Sequence, residues 1–241
     1  MKKFIKRVLT LLLVLVVSLS GVIFYLGYRE YRDVTESVSI QERVLEVTQK
    51  DDYASLEMIP QIFMDAVVSV EDERYWKRNS TLDFEALLRA TYHNIRNLSL
   101  VEGGSTIPQQ VSKNLYFNHS ASFTRKVSEY FITRDLLKIY SKEVILELYV
   151  NMIYYGAGAY SVQSAALNYF NMNVWELNDG ELVMLAGLPQ APSVYDLNVN
   201  YDLAKQRQSH VLDRMVKTGV LTEFEAEVIY DMEVRHEEAN D

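Results

Sequence analysis

The sequence contains no cysteine, and it has few prolines and glycines, four and nine among 241 residues. The absence of cysteine excludes a disulfide framework, cysteine-ligated zinc, thiol catalysis and lipid attachment through a thiol. The low proline and glycine content excludes a collagen-like chain and a disordered chain rich in these residues. Hydrophobic residues make up 49% and charged residues 24% of the chain, which is typical of a globular protein of one or two domains.

Positive charge is also scarce, and it is unevenly distributed. The 24 Lys and Arg residues face 33 Asp and Glu residues, which gives a net charge of −9. A chain this acidic is unsuited to general polyanion binding, so the sequence predicts no nucleic-acid partner. Residues 1–28 nevertheless carry four basic residues and no acid, so a basic tip precedes an acidic body.

One long uncharged run, Val8–Tyr28, spans 21 residues and consists mostly of Leu, Val and Ile. As a helix it is about 30 Å long, the thickness of the hydrocarbon core of a bilayer. Since the basic residues precede it, the positive-inside rule predicts a cytoplasmic tip at residues 1–7, a transmembrane anchor at 8–28 and an extracytoplasmic remainder. A cleaved signal peptide, with small residues at 18–20 as the cleavage site, is the alternative, but the apolar run continues past them to Leu26.

The remainder of the chain divides into three parts. Residues 29–55 are polar and weakly periodic, which predicts a juxtamembrane stalk with a short strand at Val44–Val47. Helical apolar patterns then follow one another through residues 56–225, which predicts one all-α domain. Residues 226–241 are expected to form a C-terminal helix and an acidic tail.

Two of the predicted helices border the first candidate site. One begins at Pro60 and carries an apolar stripe up to Val70. The next is predicted to be capped by Asp83. The residues expected on its buried side are Phe84, Leu87, Leu88, Tyr92, Ile95 and Leu98.

Glu71 and Asp72 end the first of these helices, close to Tyr75 and Trp76. A carboxylate at the end of a buried helix beside aromatic rings can have a raised pKa, which a general base or acid near neutral pH requires. The alternative is a solvated helix end whose carboxylates form salt bridges.

Two further segments have a composition that suits phosphate chemistry. Residues 103–110 combine two glycines, the hydroxyls of Ser105 and Thr106 and the start of a helix, which together suit a phosphate or pyrophosphate. A plain turn between helices has the same composition. Arg125, Lys126 and Glu129 place two cations and a carboxylate within one helical turn, although an ordinary surface ion pair has this spacing too.

The order of these segments resembles that of the peptidoglycan glycosyltransferases, glycosyltransferase family 51. This family comprises monofunctional enzymes and the N-terminal halves of class A penicillin-binding proteins. Five motifs match in order across about residues 56–220, which is far more specific than any single motif. The matching residues are Glu71, Asp72, Tyr75 and Trp76 in the first motif, 103–110 except Pro108 in the second, Arg125, Lys126 and Glu129 in the third, 142–151 except Val150 in the fourth, and Arg207, Val211, Leu212 and Met215 in the fifth.

The resemblance implies a lysozyme-like, all-α fold with a larger lobe and a smaller jaw that dips into the membrane, for which Leu115–Phe117 and Phe123 are the candidates. The implied substrate is lipid II, a disaccharide-pentapeptide on undecaprenyl pyrophosphate. Disaccharides are joined by β-1,4 bonds with inversion, and undecaprenyl pyrophosphate is released. Because the sequence ends where a transpeptidase domain would begin, we expect the monofunctional type, held in the bacterial cell membrane by a single span.

The resemblance also implies roles for individual residues. Glu71 would deprotonate the acceptor 4-hydroxyl, and Glu129 would assist at the pyrophosphate, directly or through a divalent cation such as Mg²⁺ or Mn²⁺. No organic cofactor is implied, and the implied partners are lipid II, the nascent glycan, the membrane and other cell-wall synthesis proteins. The other residues expected to bind substrate are Asp72, Ser105, Thr106, Gln109, Gln110, Lys113, Arg125, Lys126 and Arg207.

The sequence departs from the family pattern at several positions. Family members have His and then Gly where this chain has Arg78, Asn79 and Ser80, and Ala121 takes the place of a basic residue. Pro108 replaces a threonine of the second motif. These changes leave two alternatives to a polymerase. One is a non-catalytic or partner-dependent scaffold of the same fold, and the other is a lytic transglycosylase, which would need neither the anchor nor the cations.

Overall fold

The computed structural model describes residues 1–78, 80–97, 104–117 and 122–235, with the backbone alone at 93–95 and 97. Within these ranges the chain forms eleven α-helices, three short 3₁₀ helices and no β-strand, which confirms the predicted all-α class. The α-helices are α1 (Lys2–Ser37), α2 (Ile40–Thr48), α3 (Gln61–Glu71), α4 (Phe84–Asn97), α5 (Ile107–Tyr116), α6 (Phe123–Ile139), α7 (Lys142–Val150), α8 (Val162–Phe170), α9 (Asp179–Gly187), α10 (Tyr201–Thr218) and α11 (Glu223–Tyr230). The 3₁₀ helices are Leu56–Met58, Val174–Glu176 and Leu188–Gln190.

Helix α1 contains the predicted membrane anchor and continues beyond it. By length and composition it can cross a membrane, and its most apolar stretch is wholly exposed. An exposed apolar surface of this extent is unfavourable in water and fits a lipid environment. Beyond Tyr28 the helix continues to Ser37, and this part of the molecule packs against α6.

Residues 29–55, predicted as a stalk, contain the end of α1 and all of α2. Helix α2 begins with a capping box in which the Ser39 hydroxyl accepts from the Glu42 N–H and the Glu42 carboxylate accepts from the Ser39 N–H. The buried residues of α2 are Ile40, Val44 and Val47. The predicted strand at Val44–Val47 is wrong, because apolar residues spaced by three and four positions form a helical face. The domain boundaries drawn from the sequence stay predictions.

The centre of the core is α9, which packs against α3 and α10. Every residue from Gly180 to Gly187 is buried, as expected of a helix that is almost entirely apolar. A Cβ added at Gly187 would lie 2.8 Å from the Cγ atom of Arg207, so the absence of a side chain lets α10 approach closely. The predicted apolar face of α3 is confirmed by the burial of Phe63, Ala66 and Val67.

Helix α4 begins as predicted, but its predicted apolar face is exposed. The Asp83 carboxylate accepts from the Ala86 N–H at 2.9 Å and so caps the helix. The exposed members of the stripe are Phe84, Leu87, Leu88 and Tyr92, whereas Ile95 and Leu98 lie outside the described side chains. The prediction of a buried side is therefore wrong for these four residues. An apolar stripe identifies a helical face, but it does not determine which element covers that face.

The candidate jaw residues divide between surface and core. Phe123, the first residue of α6, is 79% exposed and is accessible to a membrane. Leu115 is buried, and Tyr116 and Phe117 pack partly buried against the core. Leu115 is therefore not accessible to a membrane, because α5 packs against α6 and α7, while the jaw as a lobe stays a prediction.

Polar side chains at α7 attach the segment before α3 to the core. The buried Asn151 side chain accepts from the Ala54 N–H at 2.8 Å and donates to the Ala54 carbonyl at 2.7 Å. Glu147 accepts from the Leu56 N–H at 3.1 Å and from the Tyr53 hydroxyl. These bonds satisfy backbone groups that would otherwise be buried without partners, and they fix the segment that leads into α3.

We expect Asn151→Ala to lower the free energy of unfolding by about 2–3 kcal/mol, because it leaves the buried N–H and carbonyl of Ala54 without partners. Asn168→Ala is the matched control, since Asn168 makes an exposed hydrogen bond to the Ala157 carbonyl. Its effect should stay within about 0.5 kcal/mol. Chemical denaturation of the full chain in detergent, followed by circular dichroism, measures both variants. Equal stabilities would contradict the role assigned to Asn151.

Candidate active site

A cleft of about 680 Å³ opens between the end of α3, the start of α5 and α10. Residues from three of the five sequence motifs line it, although these motifs are far apart in the chain. The predicted site residues in its lining are Glu71, Asp72, Ser105, Thr106, Gln110 and Arg207. The fold therefore brings six of the eleven predicted site residues together in one cleft.

Glu71 is the last residue of α3, and its carboxylate is held by the helix opposite. Its Oε2 atom accepts a hydrogen bond from the Gln110 side chain at 2.9 Å. Two fully buried tyrosines, Tyr149 and Tyr155, lie within its electrostatic range. Burial and then the Glu71 charge raise the pKa of both hydroxyls well above the usual value, so both rings stay neutral. The carboxylate is thus oriented by one amide and backed by uncharged side chains.

Asp72, the next residue, is buried and bonds to the protein itself. Its two oxygens accept from the Arg78 guanidinium at 2.6 and 2.7 Å, a bidentate ion pair. One of these oxygens also accepts from the Ile107 N–H at 3.2 Å, at the first residue of α5. Arg78 lies 3.3 Å from Asp83 as well. Asp72 therefore connects the end of α3, the following loop and the start of α5.

Helix α5 begins with a capping box. The Thr106 hydroxyl accepts from the Gln109 N–H, and the Gln109 side chain accepts from the Thr106 N–H at 3.0 Å. The Gln109 side-chain oxygen is thus used at the helix terminus, and Gln109 does not line the cleft. Pro108 lies in the first turn, where a missing N–H costs no helical hydrogen bond, so proline is compatible with this position. Gly103 lies outside the described residues.

A second cluster lies on α6, outside the lining of the cleft. The Arg125 Nε atom lies 2.9 Å from one oxygen of Glu129, and the Lys126 Nζ atom lies 2.6 Å from the other. The Glu129 side chain is 1% exposed, whereas that of Lys126 is 49% exposed. A surface ion pair does not fit this arrangement, because the carboxylate is buried and both of its oxygens face cations.

Lys113 of α5 lies near this cluster. Burial lowers the pKa of its ammonium group, whereas the carboxylates of Glu129 and Glu71 act in the opposite direction. Lys113 is therefore within electrostatic range of both predicted catalytic acids. The neighbouring Ser112 hydroxyl, fully buried, accepts from the Thr133 hydroxyl of α6 at 2.9 Å and so fixes α5 against α6.

Glu129 is also the predicted metal ligand. Mg²⁺ requires about six oxygen ligands in near-octahedral geometry. Glu129 offers one carboxylate, and both of its oxygens are paired with cations. Across the residues that the structure describes, no group of three or more His, Asp and Glu side chains could hold a metal ion. These residues alone do not form a metal site held by the protein, and the action of a divalent cation together with the substrate stays a prediction.

Arg207 contributes a fixed positive charge to the cleft from α10. Its Nε atom donates to the Gly187 carbonyl at 3.0 Å, and its guanidinium lies 5.9 Å from the ring centre of Tyr195. Burial lowers the pKa of Arg207, while Tyr195 and Glu71 oppose that shift. An arginine remains cationic in such surroundings, so a positive charge lies within electrostatic range of Glu71.

The cleft also contains ionic residues that the sequence did not identify as part of the site. Glu73 pairs with Arg89 of α4 at 2.9 Å and with Arg214 of α10 at 2.7 Å. Burial raises the pKa of Glu73, but the two arginines hold it below its usual value. The sequence contained one signal that Arg214 belongs to the site. It follows Arg207 by two helical turns and therefore lies on the same face of α10.

Comparison with known proteins identifies relatives across most of the chain. The sequence model of the family described as Transglycosylase matches residues 38–216. Penicillin-binding protein 1A of Neisseria flavescens is 41% identical over 174 residues, which cover 72% of this chain and 22% of that protein. Penicillin-binding protein 1A of Aquifex aeolicus is 40% identical over 174 residues, 72% of this chain and 24% of that protein. Penicillin-binding protein 1F of Bacillus subtilis is 37% identical over 179 residues, 74% of this chain and 25% of that protein.

Among solved structures, penicillin-binding protein 1A from Haemophilus influenzae matches with a TM-score of 0.45 and 20% identity, over 77% of this chain and 18% of that one. The chain spans about a quarter of the length of the curated relatives named above. The family match covers well over half of this chain, and all five sequence motifs fall inside it. The chain belongs to the transglycosylase family.

Proposed function

We propose that this protein is a membrane-anchored peptidoglycan glycosyltransferase. It polymerises lipid II into β-1,4-linked glycan with inversion and releases undecaprenyl pyrophosphate. One observation carries the proposal. Glu71, an oriented carboxylate, lines a cleft of about 680 Å³, while three cations gather around the buried Glu129 on the adjoining helices. Family membership supports the same reaction.

Glu71 acts as the general base in this reaction. The acceptor 4-hydroxyl loses its proton to Glu71 as its oxygen attacks the anomeric carbon of the donor sugar. The bond from that carbon to the pyrophosphate oxygen breaks, and its electron pair leaves with the pyrophosphate. The hydrogen bond from Gln110 holds one Glu71 oxygen, so the carboxylate has a defined direction before substrate binds.

The cation cluster stabilises the leaving group. Negative charge develops on the pyrophosphate, and preorganised cations in a partly buried site stabilise it more than solvent cations can. Lys113, Arg125 and Lys126 supply three positive charges. Glu129 neutralises part of their repulsion and orients Arg125 and Lys126, so its contribution to catalysis runs through these two side chains.

The anchor keeps the enzyme at the surface where a lipid substrate lies. Four basic residues precede the apolar run of α1, which favours an N-terminus in the cytoplasm and a catalytic domain outside. The protein thus spans the bacterial cell membrane once. Its partners are lipid II, the nascent glycan, the membrane and other cell-wall synthesis proteins.

The altered first motif is compatible with an active cleft. Arg78 forms the bidentate pair with Asp72, and its own carbonyl accepts from Lys142 at 2.6 Å. The substituted residue therefore supports the loop that follows Glu71. Asn79 and Ala121, two of the other departures from the family pattern, lie outside the described residues.

Glu71 is the base of the proposed reaction. We expect Glu71→Gln to lower kcat for lipid II polymerisation about 10²- to 10⁴-fold, because the amide cannot accept the acceptor proton. The KM should change little, since the side chain keeps its size. Glu223→Gln, on the exposed face of α11, is the matched control and should retain wild-type activity. Purified full-length protein in detergent with a divalent cation is assayed for glycan chains.

Other outcomes of this assay separate the alternatives. If the wild-type protein binds lipid II but forms no glycan, the scaffold or partner-dependent account replaces the polymerase. Shortening of preformed glycan by the wild-type protein would instead identify a lytic enzyme. Full activity of Glu71→Gln would remove Glu71 from the role of base.

Lys126 is one of the three proposed leaving-group cations. We expect Lys126→Ala to raise the KM for lipid II about tenfold, comparable to the loss of one charge-assisted hydrogen bond to the pyrophosphate. Lys138→Ala removes the same charge from the far end of the same helix and should leave the KM unchanged. Steady-state kinetics over a lipid II titration measures both. An unchanged KM for Lys126→Ala would contradict pyrophosphate binding at this cluster.

Arg78 is the proposed positioning residue of the first motif. We expect Arg78→Ala to lower kcat about 10- to 100-fold and the free energy of unfolding by about 3 kcal/mol, because Asp72 then stays buried without its cation. Arg78→His, which restores the residue of the family pattern, should recover part of kcat. Lys77→Ala, at the exposed neighbouring position, should match wild type. If Arg78→Ala lowers the stability but not kcat, Arg78 contributes to folding and not to positioning.

A further inference from the structure

The membrane helix is in direct contact with α6, the helix that carries Glu129. Gly27 is the buried residue of α1. A Cβ added at Gly27 would lie 2.5 Å from the Cβ of Val127 and 2.6 Å from the carbonyl oxygen of Thr124. Small residues allow helix backbones to approach this closely, and any side chain at Gly27 would force the two helices apart.

Hydrogen bonds fix the same contact. The buried Ser128 hydroxyl donates to the Gly27 carbonyl at 2.7 Å and lies 3.2 Å from a carboxylate oxygen of Glu30. About one turn further along α1, the Tyr31 hydroxyl donates to the Asp135 carboxylate at 2.6 Å. These directional bonds would be lost if either helix slid or rotated relative to the other.

Aromatic rings complete the contact. The ring centre of Phe131 lies 5.7 Å from that of Phe24, 5.1 Å from that of Tyr28 and 5.4 Å from that of Tyr31. Such pairs add to the stabilisation that comes from buried area. We call this contact the α1–α6 joint. It consists of Phe24, Gly27, Tyr28 and Tyr31 of α1 and Val127, Ser128, Phe131 and Asp135 of α6.

The joint determines how far the cation cluster lies from the bilayer core. Gly27 contacts the first turn of α6, and Tyr31 contacts Asp135, so both helices run away from the membrane side by side. Gly27 is next to the end of the uncharged run 8–28. Glu129 lies about 7.5 Å along α6 from Thr124, given the helical rise. The headgroup layer extends about 5–8 Å beyond the hydrocarbon core, which is the depth of a lipid pyrophosphate.

We propose that Gly27 and Ser128 are positioning residues, and that the α1–α6 joint holds the cation cluster at headgroup depth. The inference rests on the proposed function and adds a requirement to it. The anchor must be docked on the catalytic domain, because attachment to the membrane alone does not fix the depth of Arg125, Lys126 and Glu129. An opened joint would leave the protein in the membrane with its leaving-group site at a variable height.

Gly27→Val, compared with Gly21→Val in the full chain, tests the inference. Gly21 lies in the same helix, and a Cβ added there meets nothing within 4 Å. Lipid II turnover is measured in phospholipid vesicles and in detergent micelles, which do not confine the lipid to one depth. We expect Gly27→Val to lower the rate of lipid II turnover about tenfold or more in vesicles and less than about twofold in micelles. Gly21→Val should stay within about twofold of wild type in both.

Two results of this comparison would overturn the inference. If Gly27→Val lowers turnover equally in vesicles and in micelles, Gly27 contributes only to general folding. If turnover is unchanged in both, docking of the anchor does not matter for turnover. If Gly27→Val does not fold, Ser128→Ala decides the question. It removes the hydrogen bond without adding bulk, and we expect a loss of about threefold confined to vesicles.

Docking itself can be measured apart from activity, because the chain contains no cysteine. Thr35→Cys combined with Lys138→Cys, at two positions that line one surface pocket beside the joint and make none of its contacts, should be joined by a short bifunctional thiol reagent in vesicles. The cross-link should persist with Gly21→Val and disappear with Gly27→Val. Its absence from the otherwise native chain overturns the inference. If the wild-type protein is inactive although the double-cysteine variant forms the cross-link, the proposed function fails and the docking of the anchor does not.

Discussion

The buried carboxylate of Asp72 is the contact on which the cleft depends. It accepts two hydrogen bonds from Arg78 and one from the N–H of Ile107. Glu71 precedes it in the chain, and Gln110, which holds Glu71, lies one turn into the helix that Ile107 begins. One acid therefore connects the end of α3, the loop after it and the start of α5. The direction of the Glu71 carboxylate follows from this ion pair, since both sides of the Glu71–Gln110 bond are attached to it.

A series of polar contacts connects Glu71 to helix α1. The buried bond between Ser112 and Thr133 fixes α5 against α6, which carries the cation cluster. On the other side of α6, Ser128 bonds to the Gly27 carbonyl of the membrane helix. Each of these contacts uses a hydroxyl on a buried helix face, where a directional bond specifies one arrangement. Glu71, the cluster around Glu129 and helix α1 are therefore connected through α5 and α6.

Patterns among residues close in sequence predicted part of the fold. The Asp83 cap and the apolar face of α3 depend on residues a few positions apart, so the sequence contained them. The exposed stripe of α4 could not be predicted, because periodicity does not reveal which element covers a face. The burial of residues from the predicted stalk could not be predicted either, for the same reason. The Glu73–Arg89–Arg214 network required the crossing of α10 over the loop after α3, a relation between segments that local patterns do not contain.

The central claim is that this chain forms glycosidic bonds at the expense of a lipid pyrophosphate. Product analysis of the wild-type full-length protein with lipid II in vesicles tests it most directly, with the glycan and the released lipid measured together. The account predicts β-1,4-linked glycan and one undecaprenyl pyrophosphate released for each bond formed. Bound lipid II with neither glycan nor released undecaprenyl pyrophosphate would contradict it.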